Sequence, residues 1–344
     1  MEDLIYLDFA SKAPPLACAI EAFLTAPFEN PSSSHACGQV ARRAMEDARA
    51  RIAKCINAKP EEIIFVSGAT EGAATVLLEL YKEGFYIQPS PFEHHAVLEN
   101  LPYPRGDQIL DTKAFATMLI NNETGAVLDP KKENEFQRLF CDMTAAVGHS
   151  PVDVKALGID YGIFSAHKFG GVSGAGVVYV HNSAHLHPLI RGGEQERGMR
   201  AGTENVPAIC AMASALEWQC EHMDENLRHV HKLYLLMLQL LDDYQLNVGG
   251  DTANVSPYIL NVSFPGVEGT ALAMYLSNMG VMVSTGAACS NGLNEPSHVL
   301  MAMYGDEARA RSAIRISFSH STMEEEVRIA AGKINEAVRT LRSL

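Results

Sequence analysis

The chain has 344 residues, 47% of them hydrophobic, and a formal net charge of -14. That length exceeds what one hydrophobic core usually fills, so two domains are expected. The acidic balance argues against nucleic acid or an anionic membrane as the main partner.

The longest apolar run, Leu233-Tyr234-Leu235-Leu236-Met237-Leu238, falls far short of a membrane span. The start, Met1-Glu2-Asp3-Leu4-Ile5, is acidic and lacks signal-peptide architecture. Seven cysteines without a CxxC pair point to a reducing cytosol rather than a disulfide framework. The pairs His185/His187 and His229/His231 do not share a helix face, and no cysteine or carboxylate cluster completes a coordination shell. No metal is therefore expected.

In chain order, Tyr6-Leu7-Asp8-Phe9 reads as a short strand that Lys12-Ala13-Pro14-Pro15 ends. The polar turn Asn30-Pro31-Ser32-Ser33-Ser34-His35 caps a predicted helix from Gly38 to Asn57. Its apolar face is Val40, Ala41, Ala44, Ala48, Ile52 and Ala53. Glu62-Ile63-Ile64-Phe65-Val66 reads as a buried strand, and Ser67-Gly68-Ala69-Thr70-Glu71-Gly72 opens a helix through Leu80. A strand, a turn of small and hydroxyl residues, then a helix start can cradle phosphate on free N–H groups and the helix dipole. Serine and threonine are also ordinary helix caps, so this motif alone decides little.

Further strands are expected at Phe85-Tyr86-Ile87, at Ala116-Thr117-Met118-Leu119-Ile120, and at Arg138-Leu139-Phe140-Cys141, which ends on Asp142. Strands alternating with helices, with polar groups at strand ends, describe an open α/β sheet that binds its ligand at the carboxyl edge. The run Tyr161-Gly162-Ile163-Phe164 delivers Ser165, His167 and Lys168 ahead of a turn with Gly170, Gly171, Gly174 and Gly176, and Val177-Val178-Tyr179-Val180 follows. A lysine that ends a buried strand loses hydration, which makes its amine a usable nucleophile, able to hold an aldehyde cofactor as a Schiff base. A lone lysine is far more often a solvated loop residue. A long helical region over 206–244 then leaves the first domain. A separate α+β unit follows, with strands at 259–264, 281–284 and 312–318 and helices at 268–278, 296–303 and 322–342.

Taken together, these stretches resemble the NifS/IscS-like cysteine desulfurases of the class V aminotransferase family, which use pyridoxal phosphate. The matching motifs run in the family's order from Tyr6-Leu7-Asp8 onward. They include Asn30-Pro31-Ser32-Ser33 with His35, Ser67-Gly68-Ala69-Thr70-Glu71, Glu93-His94-His95-Ala96 and Asn121-Asn122-Glu123-Thr124-Gly125. Ser165-Ala166-His167-Lys168, Gln195-Glu196-Arg197-Gly198-Met199-Arg200-Ala201-Gly202-Thr203, Gly286-Ala287-Ala288-Cys289-Ser290, Glu295-Pro296-Ser297-His298 and Ile314-Arg315-Ile316-Ser317 complete the series.

The resemblance implies the α/β pyridoxal-phosphate-dependent transferase fold of aspartate aminotransferase type, with a mostly parallel sheet. The large cofactor domain would span 14–248, and a smaller α+β domain with the cysteine loop would take 1–13 and 249–344. Lys168 is the implied Schiff-base lysine, also able to shuttle the substrate's α-proton. His94 would stack on the cofactor ring, Asp142 would lie beside the pyridine nitrogen, and Asn122 near the phenolic oxygen. Ala69, Thr70, Ser165 and His167 match the phosphate site, and Thr203 the donor supplied by the second subunit of a homodimer. Cys289 would take the sulfur of L-cysteine as a persulfide, leaving alanine. Arg315 would clamp the substrate carboxylate, where a bidentate fork favours arginine, with Asn30 assisting. A cytoplasmic desulfurase serving iron–sulfur cluster or other sulfur-cofactor assembly, through an acceptor or scaffold protein, is the implied role. A selenocysteine lyase and a non-catalytic scaffold of the same fold are the alternatives.

Cys18, Cys55, Cys210 and Cys220 read as buried small hydrophobes, while Cys37 and Cys141 lie near site motifs without an assigned role. Three departures stand out. Ala145 occupies a place where the family usually has glutamine, the stretches 98–118 and before Asp142 are short, and Ser11-Lys12-Ala13 replace small or hydroxyl residues.

Overall fold

The computed structural model describes residues 4–102, 112–130, 135–182, 184–248, 254–285 and 295–344. The first half holds β1 (Ile5–Tyr6), α1 (Ala17–Thr25), α2 (Ala36–Cys55), β2 (Ile63–Val66), α3 (Ala69–Lys82) and β3 (Phe85–Pro89). Then come α4 (His95–Leu98), β4 (Thr112–Met118), β5 (Phe136–Asp142), β6 (Tyr161–Ser165), β7 (Gly176–Val180) and α5 (Val206–Glu221). The remainder holds α6 (Met223–Leu240), β8 (Gln245–Leu246), β9 (Ile259–Ser263), α7 (Gly269–Asn278) and β10 (Val281–Met282), followed by α8 (His298–Tyr304), α9 (Glu307–Arg311), β11 (Ala313–Ser317) and α10 (Glu324–Arg342).

Two compact units divide the chain. The larger comprises Pro14–Leu119 and Asp129–Met223, the smaller Met1–Ala13, Ile120–Leu128 and Asp224–Leu344. The sequence reading placed the second change near 248 and kept 120–128 with the large domain. The earlier break follows from α6, whose partners are late in the chain: His229 Nε2 lies 2.8 Å from the Thr322 carbonyl, and Asn335 Nδ2 donates to the Leu240 carbonyl at 2.9 Å.

In the large unit, six strands lie in the order β2-β7-β6-β5-β4-β3. Only β7 runs against its neighbours. The strands β2, β6 and β7 are buried along their whole length, as expected for a sheet covered on both faces. Helix α3 covers one face with Ala73, Val76, Leu77 and Leu80 against Ile64, Ala116, Phe140, Ile163 and Val178. Gly72 allows the close approach, because a Cβ there would lie 2.9 Å from the Ile163 side chain.

Helix α2 begins two residues before the predicted start, with His35 as its cap: His35 Nδ1 accepts from Gly38 N at 3.2 Å. Its buried face is Ala41, Met45, Ala48, Arg49, Ile52 and Ala53, while Val40, expected inside, is exposed. The reason is Arg49, which enters the core instead. Its guanidinium stacks 4.4 Å from the Phe65 ring and pairs with Glu196 at 2.7 Å.

The predicted helix over 206–244 is two helices. Backbone geometry leaves the helix at His222, whose ring turns back to the Trp218 carbonyl at 2.9 Å. Helix α1 had no clear periodic signal, and its Ile20, Phe23 and Leu24 are exposed.

The small unit contains the antiparallel sheet β11-β9-β8 and the parallel pair β1-β10. Segment 120–128 joins it through Ala126, which bridges Val255, and through Asn261 Nδ2, which donates to the Glu123 carbonyl at 2.9 Å.

Candidate active site

Because β2, β3, β4, β5 and β6 share a direction, their last residues fall on one edge of the large unit's sheet. Register makes this concrete: Val66 and Ser165 both pair with Gly176, and Asp142 pairs with Met118. Three sequence-predicted clusters meet that edge, at 67–70, at 142 and at 165–168.

The start of α3 is where the sequence predicts a phosphate cradle. By helix geometry the first-turn N–H groups of Thr70 and Glu71 have no intrahelical acceptor, whereas Ala69 N donates to Ser165 Oγ at 2.7 Å. That bond uses one N–H expected to face an anion, and the serine hydroxyl keeps its proton to donate. Small residues let the strands and helix meet: a Cβ on Gly176 would lie 2.6 Å from Gly68 Cα, and one on Gly68 would lie 3.3 Å from Ser165 Oγ.

Ser67 N donates to Glu71 Oε2 at 2.8 Å, and Arg200 Nε to Glu71 Oε1 at 2.9 Å. Burial opposes charge on Glu71, but the Arg200 and Ser67 hydrogen bonds hold its carboxyl below the ordinary range. Thr203 is exposed and lines a pocket of about 230 Å³ with Ser67, Arg200, Glu204 and Asn205. The loop before it is anchored by Arg49–Glu196, and Glu196 also accepts from Phe65 N at 2.8 Å. Glu196 and Arg197 take left-handed backbone angles, φ 47° and 58°, a conformation that side chains other than glycine adopt at some cost.

His167 and Lys168 lie half-buried on a single turn, Ala166–Lys168, directly after β6. The following glycines are required sterically: Gly170 has φ 89°, and a Cβ there would lie 2.6 Å from Leu16. Asp142 is buried at the end of β5, with Oδ1 accepting from Thr144 N at 2.9 Å. Ala145, next along, is half-buried. His94 caps α4 through Nδ1, which accepts from Ala96 N at 3.0 Å. The neutral ring therefore carries its proton on Nε2.

Beside it lies a residue the motif reading passed over, Glu93, fully buried and accepting from Ser90 Oγ at 2.6 Å. Burial pushes its carboxyl up to about 8; the Ser90 bond opposes the rise and the charge of Asp142 adds to it. Its only sequence signal was a carboxylate set next to His94.

Asn122 and Arg315 belong to the small unit, whereas Asn30 belongs to the large one. Arg315 is buried; Nη2 donates to Asp8 Oδ1 at 2.8 Å and Nη1 to the Asn122 carbonyl at 2.9 Å. Its Nε is buried without a partner among the described residues. Asn30 is exposed and uses its Oδ1 on Ser32 N at 2.8 Å. Asp8, a counter-ion for Arg315, stands in the Tyr6-Leu7-Asp8 motif, but nothing in that motif names Arg315 as its partner. Cys289 lies outside the described residues.

Cys18, Cys55, Cys210 and Cys220, expected to be buried, are half-buried, and Cys37 is exposed. Cys141 is fully buried, and that burial raises its thiol well above the ordinary range. Among the described residues no group of three or more His, Cys, Asp or Glu side chains gathers as metal ligands. None of the described helices is long and apolar enough to cross a membrane.

Hydrogen-bond donors at a helix start, a lysine after β6 and a carboxylate at the end of the adjacent β5 form a set that fits a phosphorylated aromatic aldehyde. The aminotransferase class-V family model matches residues 5–102 and 107–329, and the chain belongs to that family. It is 36% identical to a cysteine desulfurase IscS of Dictyoglomus turgidum, over 100% of this chain and 97% of that protein. It is also 36% identical to a putative cysteine desulfurase, IscS 1, of Bacillus subtilis, over 98% and 99%. A solved NifS-like protein superposes with a TM-score of 0.87 at 30% identity, covering 98% of this chain and 100% of the other.

Proposed function

We propose that this protein is a pyridoxal-phosphate-dependent cysteine desulfurase, converting L-cysteine to L-alanine and leaving the sulfur as a persulfide on Cys289. The reading rests chiefly on one observation: Ser165 and Asp142 end neighbouring strands of one sheet edge, Lys168 follows on the turn after Ser165, and the start of α3 lies against Ser165.

When bound, pyridoxal phosphate supplies an electron sink for the carbanion formed at the substrate's α-carbon. Thr70, Ser165, His167 and the N–H groups of Thr70 and Glu71 would hold its phosphate, and Lys168 would hold its aldehyde carbon. Asp142, with Oδ1 engaged by Thr144 N, keeps Oδ2 for a proton on the ring nitrogen. His94, fixed by its Nδ1 bond, offers its ring face for stacking. Asn122 serves the phenolic oxygen. Lys168 then moves the proton at the α-carbon. Arg315 orients the substrate carboxylate through Nε, the guanidinium nitrogen that Asp8 and Asn122 leave open, and Asn30 assists. Cys289 accepts the sulfur atom; the substrate carbon takes a proton in its place, so one cysteine and one thiol become one alanine and one persulfide.

Two such chains pair as a homodimer, each lending Thr203 to its partner's phosphate. The exposed Ile20, Phe23, Leu24 and Phe28 give an apolar surface that suits such pairing. The persulfide passes to an acceptor or scaffold protein, serving iron–sulfur or related assembly in the cytoplasm.

The test is alanine and sulfide release from L-cysteine by the cofactor-loaded protein with a reductant. Equal yields are expected, with Cys289→Ser abolishing sulfide while the cofactor stays bound. Absence of alanine, or a stable persulfide on another cysteine, overturns the proposal. Faster turnover of selenocysteine than of cysteine would make the protein a selenocysteine lyase.

A further inference from the structure

Helices α2 and α5 lie side by side in the large unit, and their contacts advance in step. Cys210 Sγ reaches the Ala44 carbonyl at 4.0 Å, and Arg51 Nε donates to Glu217 Oε2 at 3.0 Å. Both contacts join residues 166 apart in the chain, so the two helices run parallel in constant register. Cys55, four residues beyond Arg51 and the last of α2, and Cys220, three beyond Glu217 near the end of α5, come next on the facing sides of the two helices. The two side chains hydrogen-bond to each other, and both are half-buried. Neither belongs to a stretch that serves the proposed desulfurase site.

We propose that Cys55 and Cys220 form a redox-modification site, a dithiol that a small-molecule disulfide such as oxidised glutathione converts to an intramolecular disulfide bond.

The two sulfurs have unequal roles. The Cys55 S–H donates to the Cys220 sulfur and holds that thiol below its ordinary value, against burial and the charges of Glu217 and Glu221. The same hydrogen bond, with burial and Glu217 adding and Arg51 opposing, pushes Cys55 far above its own. Cys220 is therefore the attacking thiolate, since the thiolate is the nucleophile.

It breaks the S–S bond of the reagent, bonds to one sulfur and expels the other as a thiolate, which takes up a proton. Cys55 then gives its proton to solvent base and attacks the Cys220 sulfur. The S–S bond between Cys55 and Cys220 forms, and the second reagent thiolate leaves. Two protein thiols are oxidised, one external disulfide is reduced to two thiols, and no other oxidant enters.

The intact chain, reduced and freed of reductant, is titrated anaerobically with oxidised glutathione and mapped by non-reducing peptide mass spectrometry. The expected product is a peptide pair joined through Cys55 and Cys220, released by dithiothreitol. Its long loop should raise the melting temperature of the oxidised form by several degrees. Cys55→Ser should halt the reaction with glutathione retained on Cys220, and Cys220→Ser should give no internal disulfide at all. A wild-type map with no Cys55–Cys220 linkage, at reagent levels that already modify exposed Cys37, overturns the proposal.

Discussion

The carboxyl edge of the six-stranded sheet and the surroundings of Arg315 solve the same task, holding charged groups away from water, by different means. At the sheet edge each side chain is placed by the strand it ends, so Asp142, Ser165 and Lys168 need only local sequence and parallel register. Arg315 is held by Asp8 and by the Asn122 carbonyl, groups 307 and 193 residues away along the chain. Positions set by a strand end tolerate local change, whereas positions set by distant partners fail when any one partner goes.

The sharpest break of that contrast is Lys168→Ala. It should lower alanine formation at least about 10⁴-fold, the joint loss of the cofactor anchor and the proton carrier. The melting temperature should hardly move, because Lys168 is half-buried in a turn. Borohydride treatment should place a phosphopyridoxyl mass on Lys168 of the wild-type protein; its appearance elsewhere would remove the assignment.

Glu93→Gln probes burial without exchange of shape. Between about 4.5, its ordinary value, and about 8, the folded protein holds a proton on Glu93 that the unfolded chain has released. Wild-type stability from this group is thus fully present below the unfolded value and drains away as pH rises toward the folded one. Glutamine removes that loss. The variant's stability relative to wild type should climb by on the order of 4 kcal/mol across this window, measured by urea unfolding at both ends. A difference independent of pH would place Glu93 in contact with water.

Glu196→Ala leaves the buried Arg49 with only the exposed carboxylate of Glu46, 3.0 Å from its Nε, and should cost about 3 kcal/mol, read from the same unfolding curves. Arg315→Lys keeps the charge but not the fork, and should lower kcat/KM for cysteine by roughly ten- to a hundredfold, mostly through KM. An unchanged KM would show that Arg315 serves only Asp8 and the Asn122 carbonyl.

The smallest effect is expected at Ala145, tied to Asp142 through Thr144 N. Ala145→Gln adds a donor that should lower the pH midpoint of the bound cofactor's visible absorbance by about one unit or less. A midpoint that stays or rises would mean that Ala145 does not face the phenolic oxygen.

These residues also mark how far the sequence could be read. The strands that carry Asp142 and Ser165 were legible because a sheet buried on both faces writes near-continuous apolar runs. The cradle at Ser67–Thr70 was legible because a helix start needs small and hydroxyl residues. Arg49 was not: a helical arginine reads as solvent-facing, and only the distant Glu196 makes it a core residue. Segment 120–128 matched a motif, yet its membership in the small unit depends on Val255 and Asn261, which no local pattern names. The break at His222 was hidden because both flanking helices keep good helix formers up to the joint.

That same segment sets a schedule for synthesis. Glu123 leaves the ribosome early, while the side chains that engage it, Asn261 and Ser297, follow 138 and 174 residues later. At ordinary elongation rates of 5–20 residues per second the wait is roughly ten to thirty seconds. The nascent chain must carry Asn121, Glu123 and Thr124, all buried in the finished protein, in contact with solvent or a chaperone until then. Cutting the gene between the two units would make that wait permanent. The smaller unit is thus completed only when nearly the whole message has been translated.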